Sequence, residues 1–280
     1  MKKLLLSLVI FFFLGNFQIV MAKTESLRIR LLSWNIQVGY DNGILSNNWS
    51  NRKKKIVKTI RKHSPDFFCI QEGSPDQIKY LRSNFQNYSM VGVGRDNGRD
   101  KGEHCAIFYL PGKFKSLGSD TFWFSDTPSK PGNSWDGIYQ RICTWVKLRD
   151  KETNKDFCIF NCHFPLNPLV QKKSAKLMLK KQKEISGNGN VFLIGDFNCG
   201  PKSSARKLLG ESGFYSSANS LLKKSEKTFH IKGLGVLSLD GIYASKNICF
   251  SSYEVLDQNS DRASDHYALV VEAIMDKQTD

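Results

Sequence analysis

The chain of 280 residues is long for one domain but within the range of a single α/β or layered β structure. A formal net charge of +15 draws polyanions to the surface and says nothing about fold. Seven cysteines, an odd number, rule out an exported chain in which every thiol is paired within the molecule.

In chain order, Lys2 and Lys3 precede an apolar run from Leu4 to Leu14, and Val20-Met21-Ala22 offers the small or aliphatic positions a signal peptidase reads. Residues 1–22 are therefore expected to be a cleaved signal peptide, and 23–280 a single domain that leaves the cytoplasm for the periplasm or the medium. An uncleaved anchor is the other reading, but the run is short for a span of roughly 20 residues. No cysteine near Ala22 suggests a lipid anchor, so no stable membrane attachment is expected after cleavage. A monomer is expected.

Leu27–Gln37 alternates apolar and basic residues before turning apolar, the pattern of a strand with one solvated face. Arg52–His63 carries Ile56, Val57 and Ile60 at helical spacing, with Pro65 after its end. A buried strand follows at Phe67–Glu72, then a helix at Ser74–Phe85 opened by Ser-Pro. Strands are expected at Tyr88–Gly94, Glu103–Leu110, Ile138–Leu148 and Phe157–Phe164, and the longest helix at Pro168–Ile185. Val191–Ile194 before Gly195 reads as a central strand. Ser203–Ser212 reads as a helix, and strands at Val236–Ala244, Ile248–Leu256 and Tyr267–Ala273 finish the chain. Many strands follow one another directly, so the pattern predicts two packed sheets with helices outside rather than a βαβ repeat.

Most cysteines sit in apolar strand-like runs, where a thiol acts as a small hydrophobe. Cys158 and Cys162 would lie about 13 Å apart on one strand face, too far to bridge. No pair has zinc-ligand spacing, and one disulfide elsewhere stays open.

Polar residues lie where these apolar strands end. Asn35 ends LLSWN, Glu72 ends FFCIQE, His163 ends FCIFNCH, and Asp196 with Asn198 ends VFLIGDFN. Asp240 lies in LSLDGIY, and Asp265-His266 opens the last strand. One such residue is ordinary as a satisfied core group. So many ionisable groups are expensive to bury unless a cation and mutual hydrogen bonds compensate.

SWNIQ, IQE, NCHF, GDFN and SDHYAL follow the order and approximate spacing of the endonuclease/exonuclease/phosphatase (DNase I-like) superfamily, and the chain resembles it from Leu27 to Ala273. FWFSDTP and SWDGIYQRICTW resemble a bacterial branch related to deadenylase-like enzymes. The resemblance implies a four-layered α/β/β/α sandwich and a phosphoester hydrolase dependent on Mg²⁺ or Mn²⁺, cations suited to hard oxygen ligands. It implies Glu72 as the main metal ligand, with Asn35 and Asp265 contributing. Asp196, held by Asn198, would orient or deprotonate the attacking water. Asp240 and His266 would form a carboxylate–imidazole pair that donates to the phosphate. His163 would donate to the phosphate or protonate the leaving group. Arg141 is expected to clamp a phosphate, the alternative being an ordinary strand-face salt bridge. Tyr139 and His230 are further substrate-side candidates. The chain departs from the pattern at Cys162, where many relatives have Thr, at Gly241, where they have Tyr, and at Pro165-Leu166, where this branch often has Asp-His.

The basic runs at 52–55 and 172–183 are candidates for phosphate-backbone contact or, alternatively, solvated faces. Trp123, Phe124, Trp135 and Tyr139 either stack on a base or sugar or pack as part of the fold. Three functions follow. The first is nuclease-like cleavage of a phosphodiester in nucleic acid or nucleotides. The second is phosphatase or phosphodiesterase action on a small phosphorylated metabolite, sugar or lipid head group. The third is non-catalytic polyanion binding, disfavoured by the full catalytic set.

Overall fold

A computed structural model describes residues 26–39, 48–221, 227–231, 234–256 and 263–275. The expected signal peptide at 1–22 lies outside the described residues.

The first half runs β1 (Leu27–Asn35), α1 (Trp49–His63), β2 (Phe67–Gly73), α2 (Pro75–Asn84), β3 (Ser89–Val91), β4 (His104–Tyr109) and β5 (Phe114–Trp123). Then come β6 (Ile142–Asp150), β7 (Asp156–His163), α3 (Pro168–Ser186), β8 (Asn190–Asp196), α4 (Ser204–Glu211), β9 (Phe214–Ser216) and α5 (Ser217–Ser220). The chain ends with β10 (Phe229–Ile231), β11 (Leu234–Leu237), β12 (Asp240–Ser245), β13 (Ile248–Leu256) and β14 (Ala268–Met275). One sheet has the order β13-β14-β1-β2-β4-β3 and the other β5-β6-β7-β8-β12-β9, while β10 and β11 pair with each other as a separate hairpin.

Side-chain alternation along the strands builds three apolar layers. Leu31, Phe67, Phe157, Ile159, Phe192 and Ile194 fill the space between the sheets. The opposite faces of β1, β2 and β4 present Leu32, Phe68 and Phe108 to Ile56 and Ile60 of α1 and Leu81 of α2. Those of β7 and β8 present Phe160 and Leu193 to Met178 of α3 and Leu209 of α4. The result is the expected α/β/β/α sandwich. Helix ends follow local chemistry: Ser74 and Gln77 form a capping box at α2, Asn167 caps α3 through Leu169 N, and Ser64 closes α1 in a left-handed conformation. Among the described residues no helix is long and apolar enough to cross a bilayer.

Several expected elements shift. β6 begins at Ile142, since 138–141 runs as a loop. The strand expected at Val236–Ala244 is two, β11 and β12, separated at Ser238-Leu239. β5 carries no strand pattern in the sequence, because half of its residues are exposed and break the apolar alternation. Trp123 ends β5 and is buried with Phe124, so neither is available for stacking, whereas Tyr139 is exposed. All seven cysteines are free thiols, with only Cys249 exposed.

Candidate active site

The inward-facing rows that build the inter-sheet core become polar at one end of the sandwich. Ser33, Gln71 and Asn161 form a buried shelf above the apolar layer. Gln71 Nε2 donates to Asn161 Oδ1 (2.7 Å) and Ser33 Oγ (3.2 Å), and Asn161 Nδ2 donates to the carbonyls of Ile70 and Ala106. One step further along the same rows stand Asn35, His163, Asp196 and Asp240. Backbone pairing sets His163 opposite Asp196 and Asp196 opposite Asp240, so three candidate catalytic residues share one rung across β7, β8 and β12. Gly195, next to this rung, must be glycine: a Cβ there would lie 2.0 Å from the Cys162 carbonyl oxygen.

Glu72 joins by a different route. Its alternation in β2 would send it outward, but it adopts φ +60°, beside a register shift between Ile70 and Gly73, and turns into the site. Asn198 is also left-handed, at φ +50°. Non-glycine residues in this region are uncommon and collect at functional sites. Asn35 Nδ2 bridges Glu72 Oε1 (3.0 Å) and Asp196 Oδ2 (2.9 Å), while its Oδ1 accepts from Gln37 N. In this arrangement Asn35 ties the two acids together and turns its oxygen away from them. Val38 N holds Glu72 Oε2 at 2.9 Å, and Asn198 N holds Asp196 Oδ1 at 2.8 Å.

Two imidazoles flank Asp196 Oδ2, His163 at 3.6 Å and His266 at 3.8 Å. Their protonation differs. Burial, with Arg141, Arg95 and His266, holds the His163 imidazole well below its ordinary value. Arg141 Nη1 lies 2.6 Å from His163 Nε2 and 2.8 Å from Nδ1, so the ring can only accept from it. Burial also pushes His266 down, but Asp240, whose Oδ2 accepts from His266 Nδ1 at 2.8 Å, outweighs it together with Asp196 and Asp265. The His266 imidazole is raised to about 10. Burial, then the Asp240 charge, raises Asp196 to about 6.

These shifts fix a stability profile. Between about 6.5 and 10 the folded protein keeps a proton on His266 that the unfolded chain releases, so that stabilisation is complete below 6.5 and lost as pH rises. His163 acts in the acid direction: below 6.5 the unfolded chain takes up a proton that the folded site resists. The metal-free protein is expected to lose stability as pH rises from about 6.5 to 10, by up to about 1.4 kcal/mol per pH unit from His266, whereas on the acid side the raised Asp196 carboxyl opposes His163 and leaves a flatter profile. Thermal midpoints in chelator that stay level from about pH 7 to 9, or an alkaline decline that His266→Gln leaves untouched, contradict this.

The other expected residues take varied places. Asp265 is mostly buried beside His266, and burial raises its carboxyl. Tyr139 lies half exposed, its ring 5.8 Å from the Arg141 guanidinium. His230 is buried: its Nε2 meets the Ser264 carbonyl at 2.9 Å and its ring packs on Tyr267, so it supports the segment before His266 instead of facing the cleft. In the basic run at 52–55, Arg52 is also buried. It donates to the carbonyls of Ile36, Gln37 and Ala263, bracing the turn whose amides hold Asn35 and Glu72.

Two arginines escaped the sequence reading. Arg95 Nη1 pairs with Glu103 Oε2 at 2.6 Å, and its guanidinium lies 5.7 Å from the Tyr139 ring that Arg141 also meets. Its Nε is buried, makes no hydrogen bond and lies 3.8 Å from Asp96 Oδ1. Arg206 is wholly enclosed. It donates to Tyr243 Oη (2.6 Å) and to the carbonyls of Cys199 (3.2 Å), Ser238 (3.0 Å) and Asp240 (3.2 Å), stitching the Asp196–Asn198 turn to the Asp240 strand. Gly241 makes room for it, since a Cβ there would stand 2.5 Å from Arg206 Nη2. This accounts for the departure at 241. Arg206→Met is expected to destabilise the fold by about 3–5 kcal/mol by leaving buried acceptors bare. A thermal midpoint lowered by less than a few degrees contradicts that role.

Glu72, His163 and Asp196 offer ligand atoms within 4.8 Å of one another, as do Asp196, Asp240 and His266. The first group, with Asp265 beside it, supplies the oxygen-rich donor set that hard divalent cations prefer. Cys199, next to Asn198, is an unsuitable nucleophile because burial pushes its thiol up by more than the hydrogen bond from Ser203 Oγ lowers it.

Comparison with known proteins agrees with this geometry. The structure is similar to an endonuclease/exonuclease/phosphatase of Bacteroides vulgatus, with TM-score 0.84 and 29% identity, covering 89% of this chain and 99% of that one. It is similar to the mannosyl-6-phosphatase of Bacteroides thetaiotaomicron, with TM-score 0.81 and 28% identity, covering 88% and 99%. Nocturnin of Drosophila melanogaster is 27% identical over 206 residues, which is 64% of this chain but 30% of Nocturnin. The sequence model of the Endonuclease/Exonuclease/phosphatase family matches residues 32–266, and the chain belongs to that family.

Proposed function

We propose that this family member is an exported, Mg²⁺- or Mn²⁺-dependent hydrolase that splits a phosphoester by direct attack of water. The observation that carries the reading is Asp196, a buried carboxylate flanked by a neutral and a cationic imidazole. Export rests on the N-terminal sequence alone.

Asp196 takes the proton of the attacking water. Its raised affinity, near 6, sits close to neutral, where a general base works best. Asn198 N and Asn35 Nδ2 fix its two oxygens, so the lone pair presented to water is set in advance. The His266 cation, oriented by Asp240, donates through Nε2 to a phosphoryl oxygen as charge builds there. His163 is neutral. It offers one hydrogen bond to the phosphate and holds no spare proton, which favours the phosphate-binding role over protonation of the leaving group. Arg141 and Arg95 add two guanidinium groups on the same side. Glu72, positioned by Asn35 Nδ2 and with Asp265 beside it, would hold the cation, which when bound would neutralise phosphoryl charge and steady the leaving oxygen.

Two substrate readings remain. Nuclease-like cleavage draws on the strongly positive charge that remains without Lys2 and Lys3, and on the basic outer face of α3. Action on a small phosphorylated metabolite, sugar or lipid head group draws on the likeness to the mannosyl-6-phosphatase along 99% of its chain. Of the two, the second has the closer structural support. Turnover of p-nitrophenyl phosphate, bis-p-nitrophenyl phosphate, sugar phosphates, DNA and RNA with Mn²⁺ or chelator separates them. Chelator-sensitive cleavage confined to DNA or RNA reverses the preference, and no turnover of any member of the set removes the hydrolase reading.

A further inference from the structure

Exposed large apolar side chains are not scattered over this surface. Nine are exposed among the described residues, and eight lie on three segments anchored to the catalytic cleft, Leu117 being the exception. Ile138 and Tyr139 precede Arg141, whose guanidinium touches His163. Leu166 and Leu169 flank the start of α3, where Gln171 Nε2 ties the carbonyls of Pro165 and Leu166 to that of Asn198. The hairpin β10–β11 exposes Ile231, Leu234, Val236 and Leu237. Its base is fastened to the site: Phe229 bridges His266, His230 N donates to the Asp265 carbonyl, and Thr228 Oγ1 accepts from Asp240 N.

Apolar side chains gathered on segments that are each anchored to one polar cleft mark an interaction face. β10 is held by the contacts at the hairpin base, whereas the outer strand β11 leaves Leu234, Val236 and Leu237 exposed. Seven of the eight side chains are aliphatic and offer no ring on which a base could stack. A protein seated on all three segments would close the cleft, whereas a lipid surface would bring phosphate to it. Cations flank two of the three segments, with Lys172 after Leu169, and Lys202 and Lys227 exposed near Asn198 and the hairpin base. The third carries Asp126, Lys130 and Asp136, with no excess of positive charge, and contributes its apolar side chains.

We propose that these three segments form a collar that docks on an anionic lipid bilayer and presents the cleft to the phosphoester of a bilayer-held amphiphile. The substrate part of this inference rests on the hydrolase reading; the docking part does not. Leucines enter the interfacial layer while lysines meet anionic head groups, each lysine strengthening attachment by about fivefold.

The test is co-flotation of the folded protein with phosphatidylcholine vesicles, with and without one quarter phosphatidylglycerol, in chelator so that turnover plays no part. Binding is expected to be at least tenfold tighter with phosphatidylglycerol. Leu234→Asp with Leu237→Asp, and separately Leu166→Asp with Leu169→Asp, are expected to weaken it at least tenfold. Thermal midpoints and turnover of soluble bis-p-nitrophenyl phosphate should stay within twofold or a few degrees of the parent. No flotation, or flotation indifferent to both leucine pairs, overturns the proposal. So does a single-stranded oligonucleotide whose binding those substitutions weaken while vesicles go unbound. Loss of the hydrolase reading would show instead as absent turnover, with flotation unaffected.

Discussion

Asp196→Asn is expected to lower kcat by about three orders of magnitude, with KM changed only a few-fold. The substitution keeps the shape of the side chain and one acceptor for Asn198 N, and removes the charge that takes the proton of water. It also removes a carboxylate that burial and Asp240 already disfavour, so the metal-free thermal midpoint should fall little, if at all. Steady-state kinetics on bis-p-nitrophenyl phosphate with Mn²⁺, beside a melting curve, checks both statements. A loss under about tenfold would mean that another group activates the water and that Asp196 is structural.

Glu72→Gln should remove activity to a similar extent for a different reason. The amide keeps an oxygen for Val38 N but loses the charge around which the oxygen-donor set is built. Millimolar Mn²⁺ should raise the parent's thermal midpoint, since a ligand at about 100 times its Kd adds roughly 2.7 kcal/mol. The variant should lose most of that rise while its metal-free midpoint stays near the parent's, because the Glu72 side chain is partly solvated. An undiminished Mn²⁺ response would place the cation elsewhere, the cluster of Asp196, Asp240 and His266 being the next candidate.

Much of this site was legible because polar residues interrupt apolar strands at their ends, and the layered fold was legible because strands follow strands with helices between. What stayed hidden shares a physical cause. Asn161 and Gln71 lie inside apolar runs, where only the pairing of two sheets shows that they face each other. Arg52 and Arg206 sit among basic and polar neighbours that read as solvated faces, yet each is buried against backbone carbonyls. Arg95 lies in a Gly-rich turn with no periodicity to assign it a direction. His230 looked accessible in a polar stretch, but pairing with the segment at Ser264–His266 draws it inward. β5 exposes half of its residues and the β10–β11 hairpin more than half, so both lack the alternation by which strands announce themselves.

The shared rung of His163, Asp196 and Asp240 bears on how such a protein tolerates change. Spacing across that rung is set by peptide hydrogen bonds at about 4.8 Å per strand, not by which side chains fill the core below. Core residues can therefore drift far, as 28–29% identity to proteins of the same shape implies, without moving the reacting groups apart. Insertions are a different matter. One extra residue within β7, β8 or β12 turns a catalytic side chain to the opposite face of its sheet. Lineage change is thereby steered into the connecting segments, where length is free and where the molecule meets whatever it acts upon.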